Sequence, residues 1–324
     1  MSLRPAGGLR IASLLPSATE IVSSLSLSSS LCGVTHECDL LPTPPPPTLT
    51  STTMQNPHTM TQLQIHEEVW NSVKNGYSLY ALDASQVSKA SPNVILTQAL
   101  CEVCALPSSS LSPSLISTVP KVISLEPTTL DDVMKTIEAV AEACEEYDDE
   151  VVERARKVVE GLKGDLDVIK KTVEKLGGGR RPKVAFLEWN DPVFTGGHWV
   201  PEMMEIAGGD YTMCEKGDRS IEWSKERVIE YDPDVIVSGP CGFDVDRAEA
   251  DTKNFIRKNS WFAELRAVRN GRLYVADGNS FFARPGPRLV QGTGILAACL
   301  YGEKVAEGLG ERLCPSKGFR RLVI

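Results

Sequence analysis

Cys101-Glu-Val-Cys104 follows closely on the apolar run Asn93–Gln98. Two thiols at that spacing can share a zinc ion or an iron–sulfur cluster, or form a redox pair. His36-Glu37-Cys38 stands after another apolar run, Leu31–Thr35. If that segment stays extended, His36 and Cys38 leave the backbone on the same side. His36, Cys38, Cys101 and Cys104 together offer enough nitrogen and sulfur for a four-coordinate metal or a cluster, and His198 and Cys241 can add to them. A plainer role stands beside this one: free cysteines commonly pack as small apolar side chains, and His36 can cap a turn.

A second set of residues suits a bulky ligand. Trp189 and Trp199 carry wide apolar faces, and Gly196-Gly197 lets backbone approach closely. His198 offers an imidazole to cobalt or iron. In Arg284-Pro-Gly-Pro-Arg288, a rigid turn holds two guanidinium groups, and Arg284 can meet a propionate, amide or phosphate. The tryptophans can equally be core, and Arg288 can simply pair with an acid. Gly177-Gly-Gly179 lacks the Lys-Ser/Thr of a phosphate cradle and reads as a hinge, and no Gly-x-Ser-x-Gly or His-Glu-x-x-His motif anchors a hydrolase.

The elements that must position these residues alternate between strand and helix. Apolar strands are expected at Leu9–Leu15, Leu31–Thr35, Asn93–Gln98, Lys121–Leu125, Lys183–Trp189, Asp234–Ser238 and Arg272–Asp277. Helices are expected after Pro16, where Ser17 and Glu20 have capping-box spacing, and at Gln64–Lys74, Val200–Ala207, Lys253–Leu265 and, as the last element, Arg288–Leu300. A long helical stretch runs from Leu130 to Leu176 with a break near Tyr147–Asp149. Its apolar positions Val151, Ala155, Val158, Val159, Leu162, Leu166 and Ile169 form one face. Pro42–Thr53 and Pro107–Ser117 lack periodicity and read as loops.

This order implies an α/β protein of two Rossmann-like lobes, 9–127 and 180–310, with parallel sheets. A connecting helical segment, 128–179, joins them, and a ligand cleft lies between the lobes at strand carboxyl ends. A chain of 324 residues is long enough for two cores. A weak echo supports two equivalent lobes: Val87 precedes Pro92-Asn-Val-Ile-Leu96 as Val228 precedes Pro233-Asp-Val-Ile-Val237.

Composition narrows the partners. With 43 acidic against 34 basic residues, the net charge of -9 argues against nucleic acid. No apolar run approaches the roughly 20 residues of a membrane-spanning helix. Met1–Arg10 carries no export signal, and nine cysteines then read as thiols of a reducing compartment. The expectation is a cytoplasmic protein, which argues against an ABC permease partner.

Arg10-Ile-Ala-Ser-Leu-Leu-Pro-Ser-Ala-Thr-Glu-Ile21, Gly33-Val-Thr-His-Glu-Cys-Asp39, Pro192-Val-Phe-Thr-Gly-Gly197 and Phe281-Phe-Ala-Arg-Pro-Gly-Pro-Arg288 resemble the cobalamin-binding members of the class III periplasmic-binding proteins. These are substrate-binding components of iron–siderophore and corrinoid importers, whose lobes are joined by one rigid helix. The resemblance runs from about residue 9 to 303 outside the two loops, and the chain looks like a subgroup without a signal peptide. It implies ligand contacts from strand-end loops: Thr35, Glu37, Asp39, Glu188, Trp189, Trp199, Phe281, Phe282 and Arg284. Three functions stay open, the third being the importer role itself with an export signal lost from this sequence. One is a soluble binder of a cobalamin-like corrinoid or similar small-molecule metal chelate. Another is a zinc- or iron–sulfur-containing enzyme or redox factor built on the same fold through the Cys and His residues above.

Overall fold

The computed structural model describes residues 8–98 and 120–324. The chain divides into two compact units: residues 1–60, 64–127 and 131–161 form unit 1, and 61–63, 128–130 and 162–324 form unit 2. The helical segment 128–179 is thus shared between the units.

Unit 1 contains β1 (Ile11–Ser13), α1 (Pro16–Ser24), β2 (Leu31–Val34), β3 (Thr50–Thr52), most of α2 (Gln62–Lys74), β4 (Tyr80–Leu82), α3 (Ala84–Ala90), β5 (Val94–Thr97), β6 (Lys121–Ser124), nearly all of α4 (Leu130–Cys144) and the start of α5 (Val151–Leu176). Its sheet has the order β2-β1-β5-β6, and every pair is parallel. β5 is buried along its whole length, as expected of a continuous Val-Ile-Leu-Thr run in the middle of a parallel sheet.

Unit 2 continues α5 and adds β7 (Val184–Asn190), β8 (Val193–Thr195), α6 (Val200–Ile206), α7 (Lys225–Tyr231), β9 (Val235–Ser238), α8 (Val245–Lys258), the single turns α9 (Ser260–Ala263) and α10 (Arg266–Arg269), β10 (Leu273–Ala276), α11 (Gly278–Phe281), α12 (Leu289–Tyr301), α13 (Glu303–Leu313) and β11 (Phe319–Arg321). The sheet order is β11-β10-β9-β7-β8. The three inner strands are parallel, while β8 and β11 close the edges antiparallel. α12 is apolar on nearly all sides because it is buried on nearly all sides. It also approaches α13 so closely that a Cβ on Gly294 would strike the Leu313 carbonyl.

The alternation and the helix break between Cys144 and Val151 agree with expectation, and Val151, Ala155, Val159, Leu166 and Ile169 are buried on one face of α5. The echo also has a structural counterpart. Val87 and Val228 are both buried, and α3 and α7 both end in a left-handed residue, Ser91 and Asp232, one position before the proline. Each then leads into the strand paired beside the first strand of its own sheet.

Four local expectations are corrected. Ser17 does not cap α1: with Pro16 already at the first helical position, Leu15 becomes the cap residue and Ser17 is buried inside the first turn. Pro42–Thr53 is not wholly irregular, since Thr50–Thr52 pairs antiparallel with β4 and Leu49 is fully buried. The helix read at Lys253–Leu265 begins earlier, at Val245, where Asp244 accepts from the Arg247 N–H. α12 is not the last element, because α13 and β11 follow it. Residues 107–117 lie outside the described residues.

Candidate functional site

In unit 1 the chain leaving β2 carries Thr35, His36, Glu37, Cys38 and Asp39. Gly33 allows this strand to pass β3, since a Cβ there would overlap the Leu49 side chain. Thr50 at the start of β3 then organises the strand end. Its Oγ1 lies 2.9 Å from Thr35 Oγ1, accepts from the His36 backbone N–H at 3.2 Å, and stands 2.7 Å from His36 Nδ1. The imidazole is therefore fixed through one nitrogen, and Tyr80 packs against its ring at 5.4 Å between centroids. The other nitrogen, Nε2, is buried and makes no well-directed hydrogen bond, although Glu37 Oε1 lies 3.3 Å away. A hydroxyl can donate to Nδ1 or accept from it, so Thr50 is compatible with either ring tautomer. Cys38 turns back, its Sγ 3.0 Å from Thr19 Oγ1, and Thr19 in turn donates to Ser13 Oγ at the end of β1. Glu37 and Asp39 are exposed, whereas Thr35 is buried.

In unit 2 the end of β7 carries Glu188 and Trp189, both half-buried. Ser220 Oγ donates to Glu188 Oε2 at 2.7 Å and accepts from the Gly197 N–H at 3.2 Å, linking the strand end to the glycine pair. Gly197 must be glycine because a Cβ would meet the backbone of Asp218–Ser220. His198 follows with a left-handed φ of 53°, held there by its N–H donating to Asp218 O and its carbonyl accepting from Gly217 N. A residue with a side chain adopts that conformation at a cost of about 1–2 kcal/mol. Burial, with the positive Arg219 as a smaller influence, holds the His198 pKa below its ordinary value and so favours the neutral, metal-binding form. Cys241, after β9, is half-buried, and its N–H donates to Glu188 O.

Behind this edge lies a buried polar network. Asn190 Nδ2 donates to Thr252 Oγ1, Ser238 Oγ donates to Asn190 Oδ1, and the Asn190 N–H donates to Gln62 Oε1. Gln62 Nε2 reaches Asp251, and the Trp189 indole N–H donates to Gln62 O at 3.2 Å. Trp189 also packs edge-on against Phe243. Its orientation is thus set from both its polar and apolar sides.

The other expected contacts fall deeper in unit 2. Trp199 is buried and donates its indole N–H to Phe282 O at 2.8 Å, Phe282 is buried against Phe186, and buried Arg284 donates to Asn279 Oδ1. Phe281 is half-buried at the end of α11. Among the described residues no group of three or more His, Cys, Asp or Glu side chains is placed to hold a metal ion. Cys101 and Cys104 lie outside the described residues. Thr19, Thr50, Ser220 and Gln62 were not expected from sequence. Thr50 and Ser220 sit in irregular stretches where periodicity carries no signal.

Residues 79–279 match the model of the periplasmic binding protein family, and the chain belongs to that family. An uncharacterized ABC transporter substrate-binding lipoprotein of Bacillus subtilis, YvrC, is 24% identical over 182 residues, 55% of this chain and 53% of that one. The chain spans about half the length of this curated relative. Among solved structures, the apo periplasmic heme-binding protein RhuT from Roseiflexus has a TM-score of 0.64 at 20% identity, covering 94% of this chain and 100% of that one. The periplasmic vitamin B12 binding protein BtuF of Vibrio cholerae has a TM-score of 0.59 at 19% identity, covering 90% and 96%. At these identities the structural likeness establishes the fold alone.

These findings correct the expectation of a cytoplasmic protein: the relatives are named as periplasmic proteins or as a lipoprotein. That expectation rested on the N-terminal sequence and on free thiols. The seven described cysteines are indeed free, but a free thiol does not report its compartment. No helix among the described residues is long and apolar enough to cross a membrane.

Proposed function

We propose that this chain is the substrate-binding component of an ABC importer and that its cargo is a tetrapyrrole metal chelate, a cobalamin-like corrinoid or haem. The permease of such an importer is then its protein partner. Family membership supports the first part, and the ligands named for RhuT and BtuF support the second. The observation that carries the reading within this chain is His36. Its ring is fixed at Nδ1 by Thr50, and its Nε2 has no well-directed hydrogen bond of its own. Metal-bound histidines are typically oriented in this way through the nitrogen that does not bind metal.

In this reading Glu37 swings aside to admit the chelated metal to Nε2. Thr35 and Asp39 flank the ligand from the same strand end. In unit 2, taken by itself, Trp189 and Phe281 carry apolar surface, and Glu188 and His198 carry polar groups. Trp199, Phe282 and Arg284 support these loops from within unit 2. The experiment is a spectroscopic titration with haem and with hydroxocobalamin, on wild type and His36→Ala. A saturable band shift for one chelate that weakens in the variant is expected. An unchanged shift in His36→Ala would remove His36 from the site, and no shift with either chelate would overturn the cargo assignment.

A further inference from the structure

Unit 1 carries another concavity, at the opposite, amino-terminal ends of β1 and β2 and beside the end of α3. Its volume is about 320 Å³, at the lower end of the roughly 300–1,000 Å³ typical of small-ligand sites. Arg10, Ser29, Ser30, Cys32, Gln86 and Lys89 line it, and among the described residues none that lines it is acidic. In a chain with nine more acidic than basic residues, two cations around one concavity without a carboxylate are a local reversal of sign.

The cations are also presented differently from those elsewhere on the surface. Arg10 donates through Nε and Nη2 to Ala90 O, which holds the guanidinium in place and covers a carbonyl at the end of α3 that would otherwise repel an anion. Its charge is felt at the Cys32 thiol, which burial otherwise pushes up. Lys89 is exposed and has no ion pair among the described residues. Gln86, three residues earlier, lies on the same face of α3. The acid nearest in sequence, Asp83, is occupied in capping that helix through the Gln86 N–H.

We propose that this concavity binds a small multivalent oxyanion, a phosphate ester or a polycarboxylate, through the charges of Arg10 and Lys89 and the side-chain donors of Gln86, Ser29 and Ser30. The site is separate from the strand ends assigned to the metal chelate and stands independently of that assignment.

The test uses the full chain with pyrophosphate and with citrate as probes, against sodium chloride of equal ionic strength. Binding is followed by calorimetry, and alkylation of Cys32 by a neutral maleimide is followed by peptide mapping. At least one probe is expected to bind saturably and to slow Cys32 alkylation several-fold. The double variant Gln86→Glu/Lys89→Glu is expected to lose both effects while melting in chloride as wild type does. Which probe binds distinguishes phosphate from carboxylate chemistry. Absence of binding by both probes, equal binding by the charge-reversed variant, or binding that leaves Cys32 alkylation unchanged would each overturn the proposal. Should the double variant melt early, Lys89→Gln alone, with weakened binding expected and unchanged binding contradictory, decides the matter.

Discussion

A single hydroxyl sets the chemistry of the first strand-end edge. Thr50 faces Thr35, the His36 backbone and His36 Nδ1 at once, so Thr50→Val leaves the imidazole without its anchor. Loss of such an orienting partner typically lowers metal affinity about 10–100-fold. Thr50→Val is therefore expected to weaken chelate binding by about that factor in the spectroscopic titration. At the other edge, His198 makes stability depend on pH. Its folded pKa is held below the ordinary 6.5, so as pH falls through that window the unfolded chain takes up a proton that the folded chain refuses. Stability contributed by His198 is thus present above the window and lost on acidification. Asp251 and Asp277, whose carboxyls burial pushes up, act in the opposite sense, so the informative quantity is the difference between wild type and a variant. His198→Asn, which tolerates the left-handed backbone, is expected to melt like wild type at pH 8 and to lose less stability between pH 6.5 and 5. A parallel decline in both proteins would show that His198 does not titrate in this way.

At the scale of elements, the strand ends are held by packing and by buried hydrogen bonds. Thr252 on α8 ties Asn190 at the end of β7 to Ser238 at the end of β9. Thr252→Val keeps the shape but leaves the buried Asn190 amide without its acceptor, a loss of about 1–3 kcal/mol that equilibrium unfolding would register. Ile169, fully buried on α5, serves as the apolar counterpart, and Ile169→Ala is expected to cost about 2–5 kcal/mol. Much of this level was legible in the residues themselves. Continuous runs such as Val-Ile-Leu-Thr97 and Val-Ile-Val-Ser238 can only be buried strands in an alternating chain, and the apolar face of α5 follows from its spacing. β3, β8 and β11 were not legible, because three residues hold too little alternation to rise above their surroundings. The same limit hid Thr50, which reaches His36 because the segment leading into β3 runs alongside the end of β2 through the Val34–Thr48 bridge. Trp199 marks another limit: its type suggested a ligand face, and the burial and indole hydrogen bond to Phe282 O that fix its orientation depend on packing that spacing does not encode.

Across the whole molecule, each unit repeats one device: a short helix ends in a left-handed residue before a proline, and an apolar strand then joins the sheet beside its first strand. That repetition accounts for the alternation of elements that announced two α/β lobes, whereas the family resemblance lay in the segments Arg10–Ile21, Gly33–Asp39, Pro192–Gly197 and Phe281–Arg288. The cysteine and histidine motifs pointed instead toward a metal centre, of which Cys101 and Cys104 lie outside the described residues. The most direct test of the proposed function is titration of the purified chain with haem and with hydroxocobalamin, followed by absorption spectroscopy at neutral pH. Saturable binding of one chelate, with a metal-centred spectral change that His36→Ala weakens, is the expected result. A protein that binds neither chelate would contradict the assignment of a tetrapyrrole cargo.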